Sequence, residues 1–186
     1  GLSTPLRDEF ARSAQTLEAV AAYRTGVRIR RDEGGRRIGS LPIALVEPAL
    51  FSMLGAQPVR GRLFSAEDAA EGAAHNAVLS WDEWQQRFNG ASDVIGQRFR
   101  LDDREYRIIG VTPRGFMFPA NGARLWLPLT FSAAEHDRTR IGSFDGTLTL
   151  ARLKEGITPE AARDELAGIA QSIPELTSAF GNLPLK

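Results

Sequence analysis

Two histidines are the first residues whose chemistry could support catalysis or metal binding. His75 and His136 are the only histidines of the 186-residue chain, and both lie in polar segments far apart in sequence. Neither belongs to a H-x-x-x-H or H-x-E pattern, and a metal site needs several converging ligands. Because the chain contains no cysteine, disulfides, thiolate nucleophiles and Cys-based zinc sites are excluded. We interpret both histidines as solvated loop residues.

A glycine-spaced segment is the candidate for phosphate binding. Gly34 to Gly39 spells G-x-x-x-x-G and is followed by Ser40, but the P-loop lysine is missing. The segment also falls in a predicted hairpin, whereas a P-loop lies between a strand and a helix. The chain is therefore predicted to carry no ATPase machinery of its own.

Carboxylates are the remaining groups that could act in catalysis. Asp102, Asp103 and Glu105 cluster at a predicted hairpin tip, where charge is usual because the tip is hydrated. The chain has no calcium-loop pattern, no G-x-S-x-G serine and no S-x-x-K motif. An enzyme would need a cleft in which carboxylates such as Asp102 or Asp145 meet a base. No motif favours such a pair, so we predict no catalytic residue, no metal site and no cofactor site.

Aromatic side chains could bind a ligand or pack in the core. Trp81, Trp84 and Phe88 follow one another at i, i+3 and i+7, which places them on one face of a helix. That spacing favours packing in the core over a binding cleft. A free-standing ligand-binding module, with an apolar pocket lined by Trp84 or Trp126, stays an alternative.

The segment Phe116-Met117-Phe118 is the strongest candidate for contact with another molecule. Because neighbouring side chains of an extended segment alternate in direction, these three cannot all face one core. An exposed Phe or Met would suit a partner surface, although core packing is the competing interpretation. We single out Phe116, Met117, Phe118 and Trp126 as candidate partner contacts.

Local patterns predict the elements that position these residues. Thr4-Pro5 is typical of a helix start, and we expect that helix to break near Gln15-Thr16 and to continue as a short helix to Ala22. Residues 27–46 then alternate in polarity around a turn, which predicts a hairpin with an exposed basic face.

Capping patterns mark two further helix starts. Ser80 and Glu83 form an S-x-x-E capping box, and Ser65 with Asp68 forms the related S-x-x-D pattern. In a capping box each side chain binds the backbone N–H of the other residue. We therefore expect both halves of that exchange at Ser80 and Glu83.

The last third of the chain completes the predicted architecture. Residues 98–111 predict a second hairpin, and Pro128 places the following strand at a sheet edge or ends it there. Thr158-Pro159 opens a helix that Pro174 ends. Because the strands cluster rather than alternate strictly with helices, the fold class is α+β with mixed or antiparallel strands and flanking helices.

The order of elements also predicts two subdomains. Residues 65–145 would form an inserted subdomain. Residues 1–64 and 146–186 would pack together as a second, discontinuous subdomain.

Bulk composition limits the possible partners. Lys+Arg and Asp+Glu are equal at 23 each, so charge gives no argument for nucleic acid, which is not an expected partner. No run approaches the ~20 apolar residues that span a bilayer. The chain starts at Gly1 without a signal-peptide pattern, and we expect it to be an excised piece of a longer protein.

Several segments together resemble the MacB-like periplasmic core domain of ABC-transporter permeases (the MacB/FtsX-type permease family). The combination of LG-x-x-P-x-x-GR-x-F, S-x-x-x-W-x-x-RF and GV-x-P-x-GF-x-FP carries the resemblance, which spans about residues 3–173. The matching segments are VEPALFSMLGAQPVRGRLFSAED, AVLSWDEWQQRFNGASDVIGQRFRLDDREYRIIGVTPRGFMFP, LWLPL and LTLARLKEGITPEAARDELAGIA.

The resemblance implies a location and a set of partners. In that family the domain lies between the first two transmembrane helices and projects from the extracytoplasmic face of the membrane. Its partners would be the permease helices of the same chain and a separate ATP-binding subunit or domain. An outer partner protein or a second permease copy could join them. The resemblance also implies that the discontinuous subdomain of residues 1–64 and 146–186 is membrane-proximal and that the inserted subdomain is distal. The implied role is non-catalytic and couples helix movement to efflux of a substrate or to a partner. A free-standing periplasmic ligand-binding module stays the alternative.

Overall fold

The computed structural model describes residues 1–119, 122–144 and 146–176, and the chain divides into two units. Unit 1 combines Gly1–Ala22 with Phe131–Lys186, and unit 2 is Tyr23–Thr130. These divisions differ from the predicted boundaries at residues 64/65 and 145/146. The physical reason is a long strand, Leu17–Arg31, whose second half pairs with strands from the middle of the chain. Residues 23–64 therefore belong with the middle and not with the ends.

Unit 1 is built from two helices and a strand pair. In chain order its elements are α1 (Thr4–Ser13), residues 17–22 of β1 (Leu17–Arg31), a 3-10 helix (Arg138–Arg140), β8 (Leu148–Leu153) and α4 (Pro159–Gln171). The strand β8 is hydrogen-bonded to β1, and the helices α1 and α4 contact each other.

Two expectations for the start of the chain are wrong. The N-cap of α1 is Ser3 and not Thr4: the Ser3 hydroxyl accepts a hydrogen bond from the Leu6 N–H at 3.4 Å. The short helix expected up to Ala22 is instead the beginning of β1. The Glu165 carboxylate accepts the N–H groups of Gln15 and Thr16 at 2.7 and 2.9 Å, which ends the helical hydrogen bonding there. A short apolar window cannot decide between helix and strand, so tertiary pairing decides it.

Unit 2 contains a ring of six hydrogen-bonded strands. In chain order its elements are β2 (Arg37–Val46), α2 (Ala49–Met53), β3 (Arg60–Gly61), β4 (Asn76–Leu79), α3 (Trp81–Phe88), β5 (Arg98–Leu101), β6 (Arg104–Val111) and β7 (Leu125–Pro128). The second half of β1 pairs with β2, and the pairings continue through β7, β4, β6 and β5 back to β1. The mixed parallel and antiparallel pairings confirm the α+β fold class.

The Asp102 side chain stabilises the closure of this ring. Asp102 lies in the β5–β6 turn with a positive φ of 51°. Its backbone N–H donates to the Ile29 carbonyl oxygen at 2.7 Å, and its carboxylate accepts the Ile29 N–H at 3.0 Å. The candidate catalytic carboxylate therefore holds β1 and β5 together.

One core cluster lies against α3. Trp84 is buried in it, and Trp81 and Phe88 are partly buried against it, which confirms the predicted packing of these aromatics. The buried members are Leu41, Ile43, Ala77, Leu79, Trp84, Val94, Leu101, Ile108, Val111, Leu125 and Leu127.

The start of α3 is only half of the expected capping box. The Ser80 hydroxyl accepts from the Glu83 N–H at 3.0 Å, but the Ser80 N–H donates to the Arg124 carbonyl oxygen. Glu83 is 2% exposed and forms ion pairs with Arg87 and with Arg124, the latter at 2.7 Å. The strand pairing takes the Ser80 N–H, so the Glu83 carboxylate is left for the two arginines. The reciprocal box is complete at Ser65 and Asp68.

Pro128 behaves as its chemistry requires. It is the last residue of β7, which lies between β2 and β4, and it is opposite Val46. Because proline has no N–H to donate, the strand ends there. Of the two predicted outcomes, an edge strand or a strand that ends at Pro128, the structure shows the second.

Two glycines allow β3 to lie against β6. Gly61 and Gly110 are opposite each other in this pair. A Cβ at Gly110 would lie 2.0 Å from the Arg62 carbonyl oxygen, and one at Gly61 would lie 2.1 Å from the Ile109 carbonyl oxygen. Since the obstructing atoms belong to the backbone, no side-chain rotation can relieve the overlap.

Gly110→Ala is therefore expected to lower the free energy of unfolding of unit 2 by about 1–3 kcal/mol, the usual effect of overpacking. Chemical denaturation followed by tryptophan fluorescence measures it, because all three tryptophans lie in unit 2. The matched control is Gly168→Ala in α4, where a Cβ meets nothing within 4 Å. That change should raise the stability of unit 1 by about 0.5–1 kcal/mol, measured by circular dichroism. Equal effects of the two substitutions would contradict the steric argument.

Candidate contact surface

The segment 112–119 follows β6 and forms the candidate contact surface. Thr112 continues the sheet contact by donating its N–H to the Leu79 carbonyl oxygen at 2.9 Å. The chain then turns, with the Phe116 N–H donating to the Pro113 carbonyl oxygen and with Gly115 at a φ of +78°. Glycine is suited to this left-handed position because it has no Cβ. The turn presents Phe116, Met117 and Phe118 in succession.

The two phenylalanines pack on aromatic rings of unit 2. Phe116 lies 5.8 Å from Phe51 and 5.4 Å from Trp126 between ring centroids. Phe118 lies edge-on to Tyr23 at 4.9 Å. Both phenylalanines are half-buried, so they anchor the loop and leave part of each ring accessible.

Met117, between the two phenylalanines, is 69% exposed. Its thioether side chain is flexible and polarisable, and such side chains adapt to partner surfaces. Among Phe116, Met117 and Phe118, it is the residue that offers the largest accessible apolar group.

Trp126 differs from the other candidates because it is fully buried at 0% exposure. Its indole N–H donates to the Phe118 carbonyl oxygen at 3.0 Å, and its ring lies 6.1 Å from Phe51. A side chain without accessible surface presents nothing to a partner. The structure therefore assigns Trp126 to the support beneath the loop, which corrects its inclusion among direct contacts.

The two histidines are not brought together with other ligands. The His75 ring lies 5.4 Å from Tyr106, and His136 Nδ1 lies 2.7 Å from an Asp8 carboxylate oxygen. His75 belongs to unit 2, whereas His136 and Asp8 belong to unit 1. Within residues 1–119, 122–144 and 146–176 no group of three or more His, Asp or Glu could hold a metal ion. Asp145, the other carboxylate considered for catalysis, lies outside the described residues.

A buried polar network was missed by the sequence reasoning. Asp68 is 5% exposed and accepts two hydrogen bonds from Arg62, at 2.6 and 2.9 Å. It also accepts from the Ser65 N–H and from the Asn76 amide, both at 2.7 Å. The S-x-x-D pattern located Asp68 as a cap, but nothing local indicated Arg62 or Asn76.

This network fixes the charge of Asp68. Burial alone would raise the pKa of the Asp68 carboxyl, but the hydrogen bonds from Arg62, Ser65 and Asn76 outweigh it and hold the pKa well below its usual range. By contrast, burial raises the pKa of Tyr106. Asp68 is therefore a fixed anion that ties the segment 62–76 together, and it is not a proton donor at neutral pH.

Three solved structures with a similar fold are a periplasmic region, a domain of a putative permease and an extracellular domain of an ABC-type transporter. The periplasmic region of MacB from Actinobacillus actinomycetemcomitans has a TM-score of 0.67 at 16% identity, covering 92% of this chain and 74% of that one. A domain of a putative permease protein from Porphyromonas gingivalis has a TM-score of 0.67 at 22% identity, covering 91% and 70%. The extracellular domain of the noncanonic ABC-type transporter YknZ from Gram-positive bacteria has a TM-score of 0.63 at 12% identity, covering 91% and 81%.

The family itself is shown by sequence. The model of the MacB-like periplasmic core domain matches residues 1–169, and the chain belongs to this family. No curated protein sequence matches it. Among the described residues, no helix is long and apolar enough to cross a membrane.

Proposed function

We propose that this chain is the extracytoplasmic domain of an ABC-transporter permease subunit. Its transmembrane helices belong to the same full-length chain, and a separate subunit or domain hydrolyses ATP. The domain is non-catalytic and couples helix movement to export of a substrate or to a partner protein. The observation that carries the proposal is the family match over residues 1–169.

Unit 1 is built from both ends of the chain, which supports attachment to transmembrane helices at both ends. Unit 1 contains residues from both ends of the chain, and its first and last long helices, α1 and α4, are in contact. A force applied through either flanking segment would therefore reach one packed body. In this proposal unit 1 is membrane-proximal and unit 2 is distal.

The loop of Phe116, Met117 and Phe118 provides the contact with a partner in this proposal. Met117 supplies an exposed apolar side chain, and the anchored phenylalanines keep the loop in place. A preformed apolar contact avoids part of the ordering entropy that binding otherwise requires.

The absence of cysteine from the chain permits a direct test of location. In the full-length permease with its other cysteines replaced, Met117→Cys is expected to react with a membrane-impermeant maleimide in intact spheroplasts. The cysteine-free permease gives the background. Labelling that appears only after lysis would contradict an extracytoplasmic location.

Coupling is tested by a fluorophore on the same cysteine. In the reconstituted transporter, ATP binding should change its emission, and the permease without its ATPase partner should show no change. An unchanged emission would contradict coupling while leaving the location intact. A parent reading frame without flanking transmembrane segments would contradict the whole proposal and favour a free-standing ligand-binding module, which predicts a thermal shift with a small ligand.

A further inference from the structure

Three arginines lie side by side across three neighbouring strands of unit 2. Arg31 of β1 is opposite Arg100 of β5 on one side, and on the other it is opposite Arg37 of β2, just past a shift of register between Arg30 and Arg31. Residues directly opposite each other in antiparallel strands share one face of the sheet. Arg37, Arg31 and Arg100 therefore form a transverse row on one face, which we call the arginine row.

Strand pairing keeps the three arginines side by side although their positive charges repel one another. Directly opposite like charges destabilise a sheet. Among the described residues, the one ion pair of these three arginines joins Arg31 Nε to the exposed Asp103 carboxylate at 3.8 Å. Glu105, which lies opposite Arg100 on β6, pairs with Arg98. Arg37 and Arg100 are exposed, and neither side chain forms an ion pair or hydrogen bond with any described residue. Arg98, by contrast, pairs with Glu105 at 2.7 Å, and Arg36 pairs with Asp32 at 3.2 Å.

Arg31, at the centre, is positioned but incompletely satisfied. Its Nη1 donates to the Gly35 carbonyl oxygen at 2.9 Å, which fixes the guanidinium. Its Nε is buried and donates to no described acceptor, and the Asp103 carboxylate lies 3.8 Å away, beyond hydrogen-bond distance. The Arg31 side chain is nevertheless 30% exposed, so its fixed guanidinium can meet an additional acceptor from outside.

We propose that the arginine row binds an acidic segment of a partner protein. Adjacent strands lie about 4.8 Å apart, so the row extends roughly 10 Å between its outer strands. Two or three carboxylates along a peptide can match that length, and arginine pairs with carboxylates through two parallel hydrogen bonds.

The neighbouring charges favour a protein over a membrane surface. Asp103 is 90% exposed and the Glu105 side chain is 57% exposed, and both flank the row. An anionic bilayer is a uniformly negative surface that would repel these carboxylates together with Asp32 and Glu33 of the β1–β2 turn. A protein segment can place its carboxylates over the row and neutral groups over the flanking residues. This inference goes beyond the proposed function, because it concerns a different surface and can be measured on this chain alone.

The experiment measures binding of a fluorescein-labelled oligoglutamate peptide to the whole chain by anisotropy, with oligoglutamine as the neutral peptide. The wild-type chain should bind oligoglutamate at about 0.05 M salt and lose affinity at about 0.3 M salt, because the screening length shortens. The double substitution Arg37→Gln and Arg100→Gln should weaken binding by at least about tenfold through loss of charge-assisted hydrogen bonds. It should not lower stability in chemical denaturation, since it removes like-charge repulsion.

The matched control is Arg36→Gln with Arg98→Gln. It removes the same charge from the same two hairpins but from arginines that are already paired, so binding should stay within about fivefold of wild type. Equal losses of peptide affinity in both variants would show that only net charge matters and would overturn the proposal that the arginine row is the binding site. So would displacement of the peptide by equimolar inorganic phosphate, preferential binding to vesicles containing phosphatidylglycerol, or no binding by the wild-type chain.

Discussion

Trp126→Ala is expected to lower the free energy of unfolding of unit 2 by about 3–5 kcal/mol, the range for removing a large aromatic from a core. Trp126 has no exposed surface and lies against the rings of Phe51 and Phe116. The substitution leaves a cavity between these rings. It also removes the indole N–H that donates to the Phe118 carbonyl oxygen. The loop of Phe116, Met117 and Phe118 therefore loses the side chain that supports it. The fluorescence of Trp81 and Trp84 can follow denaturation of the variant.

Met117→Ala is the control for this prediction. Met117 lies in the same loop and is 69% exposed, so its truncation should change the free energy of unfolding by less than about 0.5 kcal/mol. A small effect of Trp126→Ala together with a large effect of Met117→Ala would reverse the assigned roles of these residues. Trp126→Phe, which keeps an aromatic ring and loses the donor, should fall between the two.

Asp68→Asn is expected to destabilise unit 2 by about 2–4 kcal/mol at neutral pH, because it weakens a buried, hydrogen-bonded ion pair. The carboxylate accepts hydrogen bonds from Arg62, Ser65 and Asn76. The asparagine side chain has one acceptor oxygen, and its amide group faces donors. The effect is measured by urea denaturation at pH 7.

The pH dependence of this difference is a separate prediction of the same variant. Because the folded pKa of Asp68 is held below its unfolded value of about 3.9, its charge contributes stability that is complete above roughly pH 5. That contribution is lost as pH falls from about 4 towards the folded pKa. The difference between wild type and Asp68→Asn should therefore shrink below pH 4. Glu9, Asp137 and Glu165, whose pKa values are also lowered, are common to both proteins and cancel in the comparison.

A difference that stays constant from pH 7 to pH 3 would contradict an ionised Asp68 in the folded state. Ser65→Ala is a further check on the same network, because it removes only the hydroxyl that donates to Asp68 at 3.1 Å. The Ser65 N–H still donates after this change. Its expected effect is about 0.5–2 kcal/mol, the usual cost of removing an N-cap side chain.

The predictions from sequence that are confirmed depend on neighbouring residues. The face formed by Trp81, Trp84 and Phe88 follows from helical spacing, and it packs against the core as expected. The turn around Asp102 and the end of β7 at Pro128 likewise follow from the conformations that these residues prefer. In each case the signal is a local conformational preference or spacing that can be read within a few residues.

The predictions that are wrong depend on partners far along the chain. Residues 17–22 lie in a strand, and the Glu165 carboxylate, distant in sequence, binds the backbone where α1 ends. The Glu83 carboxylate accepts a hydrogen bond from Arg124, 41 residues away, and not from the expected Ser80 backbone N–H. The burial of Trp126 distinguishes a supporting residue from a contact residue, and composition alone cannot reveal it.

The sequence by itself determined the family of this protein, its α+β class, the lack of cysteine chemistry and most of its turns and helix starts. These follow from ordered motifs and from local conformational preferences. Only the tertiary structure decided where the units divide, how the six strands of unit 2 close into a ring and which arginines stand side by side. Those features depend on strand register between distant segments, and register is fixed by the packing of the whole sheet.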